Sequence, residues 1–145
     1  RSRKRMLEDK FYDAVAEENY NEMERLFAIG VKPNSNCYYI AINSNNLTLM
    51  NWLYVHDCRL MTYVFRYAVR VLNFNMCDWL FQHSCPMDTY VCYEAAKIGN
   101  LQMLQFLRAR GCPWGASTTQ AAKKYNHPHI YKYAITHNCP NYSSL

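Results

Sequence analysis

Apolar residues recur along this chain at two periods. The short one is helical: Met103, Leu104, Phe106 and Leu107 fall at the spacing that puts side chains on one face of a helix. The long one is 27 residues, and it places Ala14, Ala41, Ala68, Ala95 and Ala122 in a single column. Leu26, Leu53, Leu80, Leu107 and Ala134 make a second column. A third runs Arg25, Trp52, Trp79, Phe106, Tyr133, and a fourth Val31, Cys58, Cys85, Cys112, Cys139. Five copies register with no insertion or deletion. A fixed period of this length marks a repeat architecture, in which each unit buries its apolar face against its neighbours.

The polar positions divide each copy into two short helices. Ser35, Thr62, Thr89 and Ser117 stand just before the first apolar stretch, where a side-chain oxygen is expected to cap free backbone N–H groups. Small alanine in the middle of that helix lets a neighbour approach closely. Asn19, Asn46, Asn73 and Asn100 then interrupt it, with Gly99 beside the last. Asn and Gly tolerate the left-handed conformation of a tight turn, so this column is expected to make it. The second helix is expected to end at Gly30 and Gly111, or at the turn formers Asp57, Ser84 and Asn138. Proline at 86, 113 and 140 reads as the stop, with the preceding cysteine turned inward. The strand signature of leucine-rich repeats is absent, and no segment alternates with a strand's period of two, so helix pairs are the reading.

The run AAKIGNLQMLQFLRARG at 95–111 resembles the ankyrin repeat, whose copies read A-A-x-x-G-H-L-x-x-V-x-x-L-L-x-x-G. The resemblance covers residues 11–142 and is best in the fourth copy. The ending GCPW at 111–114 is similar to that of divergent ankyrin repeats in giant DNA viruses of amoebae. The ankyrin period is about 33, so each copy here is shorter by about six residues. The T-P-L-H opening is also replaced, by Tyr90-Val91-Cys92-Tyr93. The resemblance implies that the family's hairpin fingers are cut to short turns and that recognition moves to the helical faces. The expected fold class is therefore all-α, a solenoid of about five ankyrin-like helix-turn-helix repeats with short loops in place of hairpin fingers. A basic N-terminal segment, 1–10, precedes a single repeat domain over 11–145, with repeats at about 11–34, 35–61, 62–88, 89–115 and 116–142.

With 145 residues, half of them hydrophobic, the chain suits one domain with a sizeable core. No apolar run approaches the ~18–20 residues of a membrane span, and no apolar stretch follows the basic start as in a secretory signal. The expectation is an intracellular protein of cytoplasm or nucleus, in the host cell where the viral resemblance holds. The chain opens at Arg1 rather than Met, which leaves upstream segments open. The formal charge of +5 is unevenly spread. Arg1, Arg3, Lys4 and Arg5 crowd the start, Asp13, Glu17, Glu18, Glu22 and Glu24 follow, and no acid stands beyond Glu94.

Seven cysteines raise disulfide and metal chemistry. Stacked helices lie about 8–10 Å apart, whereas a disulfide needs Cα atoms within about 7 Å. The ladder of Cys58, Cys85, Cys112 and Cys139 is thus read as reduced, buried and hydrophobe-like. His-x-Cys recurs at His56/Cys58, His83/Cys85 and His137/Cys139, yet the same spacing keeps the pairs from converging on one metal. These histidines are instead expected to satisfy the last carbonyls of the second helix, with Arg110 filling the same column. No nucleophile elbow and no phosphate-cradling glycine loop is present, so neither catalysis, a cofactor nor a metal is expected.

The variable positions of the first helix remain. Tyr63, Arg66, Tyr67 and Arg70 share one helical face, and the next copy presents Tyr90, Tyr93, Glu94 and Lys97. Ser117, Gln120, Ala121 and Lys124 continue the series, and Tyr39 precedes it. Tyr and Arg are enriched at protein interfaces, and thirteen tyrosines in this chain is a high count. The alternative reading has Tyr39 and Tyr93 merely plugging the groove between repeats. The leading expectation is a non-catalytic scaffold that binds a protein partner, a host protein in the viral case, through Tyr39, Tyr63, Arg66, Tyr67, Arg70, Tyr90, Tyr93, Lys97 and Lys124. The alternatives are nucleic-acid or polyanion binding through the basic start and basic C-terminal copies, or a structural part of a viral particle. No membrane partner is expected.

Overall fold

The structure, a computed structural model, describes residues 2–141. Arg1 of the basic segment, and residues 142–145 with the end of the fifth repeat, lie outside the described residues. The described residues form ten α-helices and no strand, so the chain is all-α. The helices are α1 (Arg3–Ala16), α2 (Tyr20–Ala28), α3 (Cys37–Asn43), α4 (Leu47–Val55) and α5 (Thr62–Arg70). They continue with α6 (Phe74–Gln82), α7 (Thr89–Ile98), α8 (Leu101–Ala109), α9 (Ala116–Lys124) and α10 (Pro128–Thr136). Two units divide between Val64 and Phe65. In the first, α1 packs on α2, α3 on α4 and α1 on α3; in the second, α7 packs on α8, α9 on α10 and α7 on α9. Residues 3–10 of the basic segment are the opening turns of α1, whose N-terminus is capped by Ser2 Oγ accepting from the Arg5 amide at 3.2 Å.

The 27-residue columns coincide with recurring turns. After each first helix one residue enters the left-handed region: Glu18, Asn45, Leu72, Gly99 and Asn126. The next amide reaches back to the alanine column, as in Asn46 N to Ala41 O at 2.9 Å and His127 N to Ala122 O at 2.7 Å. That bond closes the helix C-terminus in the manner of a Schellman turn. The asparagines expected to be left-handed are not: they are the N-caps of the second helices. Their side-chain oxygens accept from the amides of Glu22, Leu49, Met76 and Met103 at 2.8–3.1 Å. The strain falls one residue earlier, where Leu72 at φ 56° costs about 1–2 kcal/mol. Gly99 has a further reason to be glycine, because a Cβ there would strike the His127 ring, which sits by the Lys97 carbonyl.

Each second helix ends in the same way. Gly30, Asp57, Ser84, Gly111 and Asn138 are left-handed, and the following residue donates back to the Leu26, Leu53, Leu80, Leu107 or Ala134 carbonyl at 2.8–3.0 Å. Proline is therefore not the stop. Lys32 and Arg59 occupy its column in the first two copies, and those helices end at the same point. The expected Ser/Thr caps are also corrected. Thr62 and Thr89 are the first residues of their helices and Ser117 the second of α9, while Ser35 Oγ donates to the Arg59 carbonyl at 2.5 Å. Asp88 caps α7 instead, accepting from the Tyr90 amide. The alanine and leucine columns are buried throughout, at 3% exposure or less, as the periodicity requires.

Candidate interaction surface

In the first unit Tyr39 and Tyr63 are half-buried and meet edge-to-face, with ring centres 6.0 Å apart. In the second unit Tyr67 is half-buried on α5, and Arg66 places its guanidinium 5.9 Å from the centre of the Tyr90 ring. Arg66 Nε is itself buried without a hydrogen-bond partner among the described residues. Tyr90 is 52% exposed and packs edge-to-face on Tyr93. The Tyr93 hydroxyl bonds to that of Tyr125, which pushes the Tyr93 phenol above its ordinary pKa. Lys97 and Lys124, both exposed, each hold an ammonium 5.5 Å from the centre of the Tyr125 ring.

Two features of this face escape the sequence reading. Glu94, read as one position of the exposed series, has a side chain only 9% exposed, and Arg70 Nη2 holds its carboxylate at 2.9 Å. Arg70 is thus engaged with a buried charge. Tyr125 is the C-cap of α9, and Ile98 and Val71 hold its column in the two preceding copies, so no repeated signal marks it. Seen together, Arg66, Tyr90, Tyr93, Lys97, Lys124 and Tyr125 make a basic, aromatic surface whose nearest acid is already neutralised. Tyr and Arg are the residue types that protein interfaces enrich.

The second helices carry a different ladder. His56 Nδ1 lies 2.7 Å from the Trp52 carbonyl, His83 Nδ1 2.8 Å from that of Trp79, and His137 Nδ1 2.8 Å from that of Tyr133. Arg110 Nη1 donates to the Phe106 carbonyl at 3.2 Å. Each ring or guanidinium stacks on the aromatic residue four positions back, at 3.4–4.1 Å. The expected role of these side chains at the helix C-termini is met, and it accounts for the aromatic column as well. Glu24 joins the set, accepting from Trp52 Nε1 at 2.8 Å and lying 3.1 Å from His56 Nε2. Arg108, too, is committed, donating to the Cys112 carbonyl and lying over Trp114.

All seven cysteines are buried. The thiols of Cys58, Cys112 and Cys139 point to the carbonyls of Asn34, Asp88 and Gly115, each the last residue of the preceding copy. Burial raises the pKa of Cys37 and Cys139 to about 11 and of Cys58, Cys77 and Cys85 to about 12. The Cys92 thiol is pushed up by the neighbouring Cys112 thiol and by burial. A thiol held protonated is a poor nucleophile and a poor metal ligand. Among the described residues no group of three or more His, Cys, Asp or Glu side chains is placed to hold a metal ion. Nor is any helix among them long and apolar enough to cross a membrane. No protein-family model matches the chain, and no curated protein matches it.

Proposed function

We propose that the five copies form a solenoid of ankyrin-like repeats and that the chain is a non-catalytic scaffold for a protein partner. The partner docks on the first-helix face around Tyr90, Tyr93 and Lys97, with Tyr39, Tyr63, Arg66, Tyr67, Arg70 and Lys124 as its further contacts. The repeated turns support the solenoid, since one closing hydrogen bond recurs at two positions in every copy. One observation carries the binding face. On α7, Val91, Cys92, Ala95 and Ala96 are wholly buried while Tyr90 stands half out in solvent and Lys97 is exposed. A large aromatic left wet beside cations is the pattern of an interface centre.

A photo-crosslinking amino acid placed at Tyr90, with the exposed Gln102 of α8 as control, tests the face. A protein crosslinked from position 90 and not from 102 in lysate of the source cell supports it. Crosslinks only at 102, or at neither, overturn it; the latter is the outcome for a particle component that acts as a spacer.

Polyanion binding is favoured by a separate observation. Eight cations and three acids lie from Phe65 onward, against eight of each before it. Arg70, Arg108 and Arg110 are already engaged within the fold, which leaves fewer cations for phosphates. Affinity for a nucleic acid that falls linearly with salt on logarithmic axes identifies that reading, with a slope near the number of phosphates neutralised.

A further inference from the structure

The first copy departs from the repeat, and its departures gather in one place. At the end of the second helix the other copies carry His56, His83, Arg110 and His137, each folded back onto its own helix. The first copy has Ile29 there, 57% exposed. Two positions on, the cysteine column holds Val31, and Lys32 stands where three later copies have proline. Helix α1 also starts early. Its counterparts begin at Cys37, Thr62, Thr89 and Ala116, at least five residues later in register.

Those extra turns bring Arg3, Lys4 and Leu7 to the loop at 29–34, and a half-open groove of about 650 Å³ lies between them. Leu7, Ile29, Val31 and Pro33 give it an apolar floor. Arg3, Lys4 and Lys32 supply the charge, against one carboxylate, Glu8, among the described lining residues. The volume is within the range of specific ligand sites, about 300–1,000 Å³.

We propose that this groove binds a short acidic segment of a partner protein that carries a large apolar anchor residue. Charge complementarity selects the acidic flanks, and the apolar floor selects the anchor. Among the described residues no aromatic side chain lines the groove, so they offer no stacking platform of the kind that single-stranded nucleic acid uses. A groove open along one side leaves a lipid tail wet, whereas a peptide's backbone can face water while its anchor is buried. The site uses none of the residues of the first-helix face, so each proposal stands or falls alone.

The test is a fluorescein-labelled peptide, GSEDLFDEGS, titrated with the full chain and read by anisotropy. Saturable binding is expected, weakened at least about tenfold, or 1.4 kcal/mol, by Ile29→His and likewise by Lys4→Glu with Lys32→Glu. A peptide with the Leu-Phe pair replaced by Ser-Ser is expected to lose as much. Ile29→His installs the column's own residue at an exposed position, so its melting temperature is expected to stay within about 2 °C of the parent. Binding that survives both variants overturns the proposal, as does equal affinity for the serine peptide, which is bare charge attraction. Equal affinity for a twelve-nucleotide single strand of DNA overturns it in favour of polyanion binding. Absence of saturable binding up to about 1 mM, the weak end of specific recognition, overturns it outright.

Discussion

The pair Arg70–Glu94 gives the sharpest test of how this fold handles charge. The Glu94 side chain is 9% exposed and its carboxylate oxygen lies 2.9 Å from Arg70 Nη2, while the Arg70 side chain is 57% exposed. Arg70→Ala removes the counter-charge and leaves a carboxylate in a buried position. Breaking a fully buried pair costs about 3–5 kcal/mol. Water reaches the arginine here and screens the attraction, so about 1.5–3 kcal/mol is the expected loss. Glu94→Ala is different, because it leaves only an arginine that solvent can accommodate, and Ala121 already fills the same column in the fifth copy. That change is expected to cost less than about 1 kcal/mol. The double variant then resembles Glu94→Ala alone, giving a coupling as large as the Arg70→Ala loss itself, about 1.5–3 kcal/mol. Urea unfolding followed by far-ultraviolet circular dichroism measures all four corners of the cycle. A coupling below about 0.5 kcal/mol, within the scatter of independent sites, refutes the reasoning. The cycle also bears on the binding face. The surface reading of Arg66 and Arg70 implies that removing both is nearly neutral for stability; with Glu94 buried under Arg70, such a variant confounds lost binding with lost structure. Tyr90 and Lys97 are the positions to substitute.

Thr118 is wholly buried and its hydroxyl has no hydrogen-bond partner among the described residues, while its column holds Cys37, Val64 and Val91. Thr118→Val is therefore expected to stabilise the chain by about 1–2 kcal/mol in urea unfolding, and a loss of stability shows that the hydroxyl is satisfied after all. Leu80, 0% exposed, is expected to cost about 2–5 kcal/mol on truncation to Ala, and an unchanged urea midpoint defeats the proposed register. Burial that raises thiols from the ordinary 9.0 to about 11 or 12 makes the folded chain hold protons that the unfolded chain releases. That stability is complete below pH 9 and drains as pH rises toward 12, so the urea midpoint should fall over that window, less steeply in Cys85→Ala; an identical slope in the variant contradicts it.

The columns are legible in the sequence because burial leaves them little choice. Ala41, Ala68 and Ala95 sit at 0% exposure, and a larger side chain has nowhere to go. The turns are harder to read. Asn both accepts from an amide and tolerates the left-handed region, so its chemistry fits two adjacent positions of the turn, and only the backbone decides between them. The residue that does become left-handed is Glu18, Asn45, Leu72, Gly99 or Asn126, a set with no common chemistry. The turn is imposed by the bond that follows it, from the Asn or His amide to the buried alanine's carbonyl. The role of proline was legible all along, since Lys32 and Arg59 share its column and their helices stop without it. Glu94 was not, because its partner lies on another helix and the pair occurs in one copy alone.

That contrast shows where function is to be sought in a repeat. Residues that agree across five copies answer to the packing every copy shares, and they say nothing about a partner that meets one copy. Where the copies disagree, packing alone does not explain the residue. Thr118 among valines, Glu94 beside Ala121 and Ile29 among histidines are such positions. The first two belong to the interior: one is a buried hydroxyl without a partner among the described residues, the other a carboxylate held by Arg70. Ile29 does not, for it lies 57% exposed over a groove whose cations face solvent. It is an apolar side chain left largely in water, at the one copy that has neither histidine nor arginine to fold back onto the helix end. The proposed occupant of the groove would bury it, which is why that position is the one to substitute first.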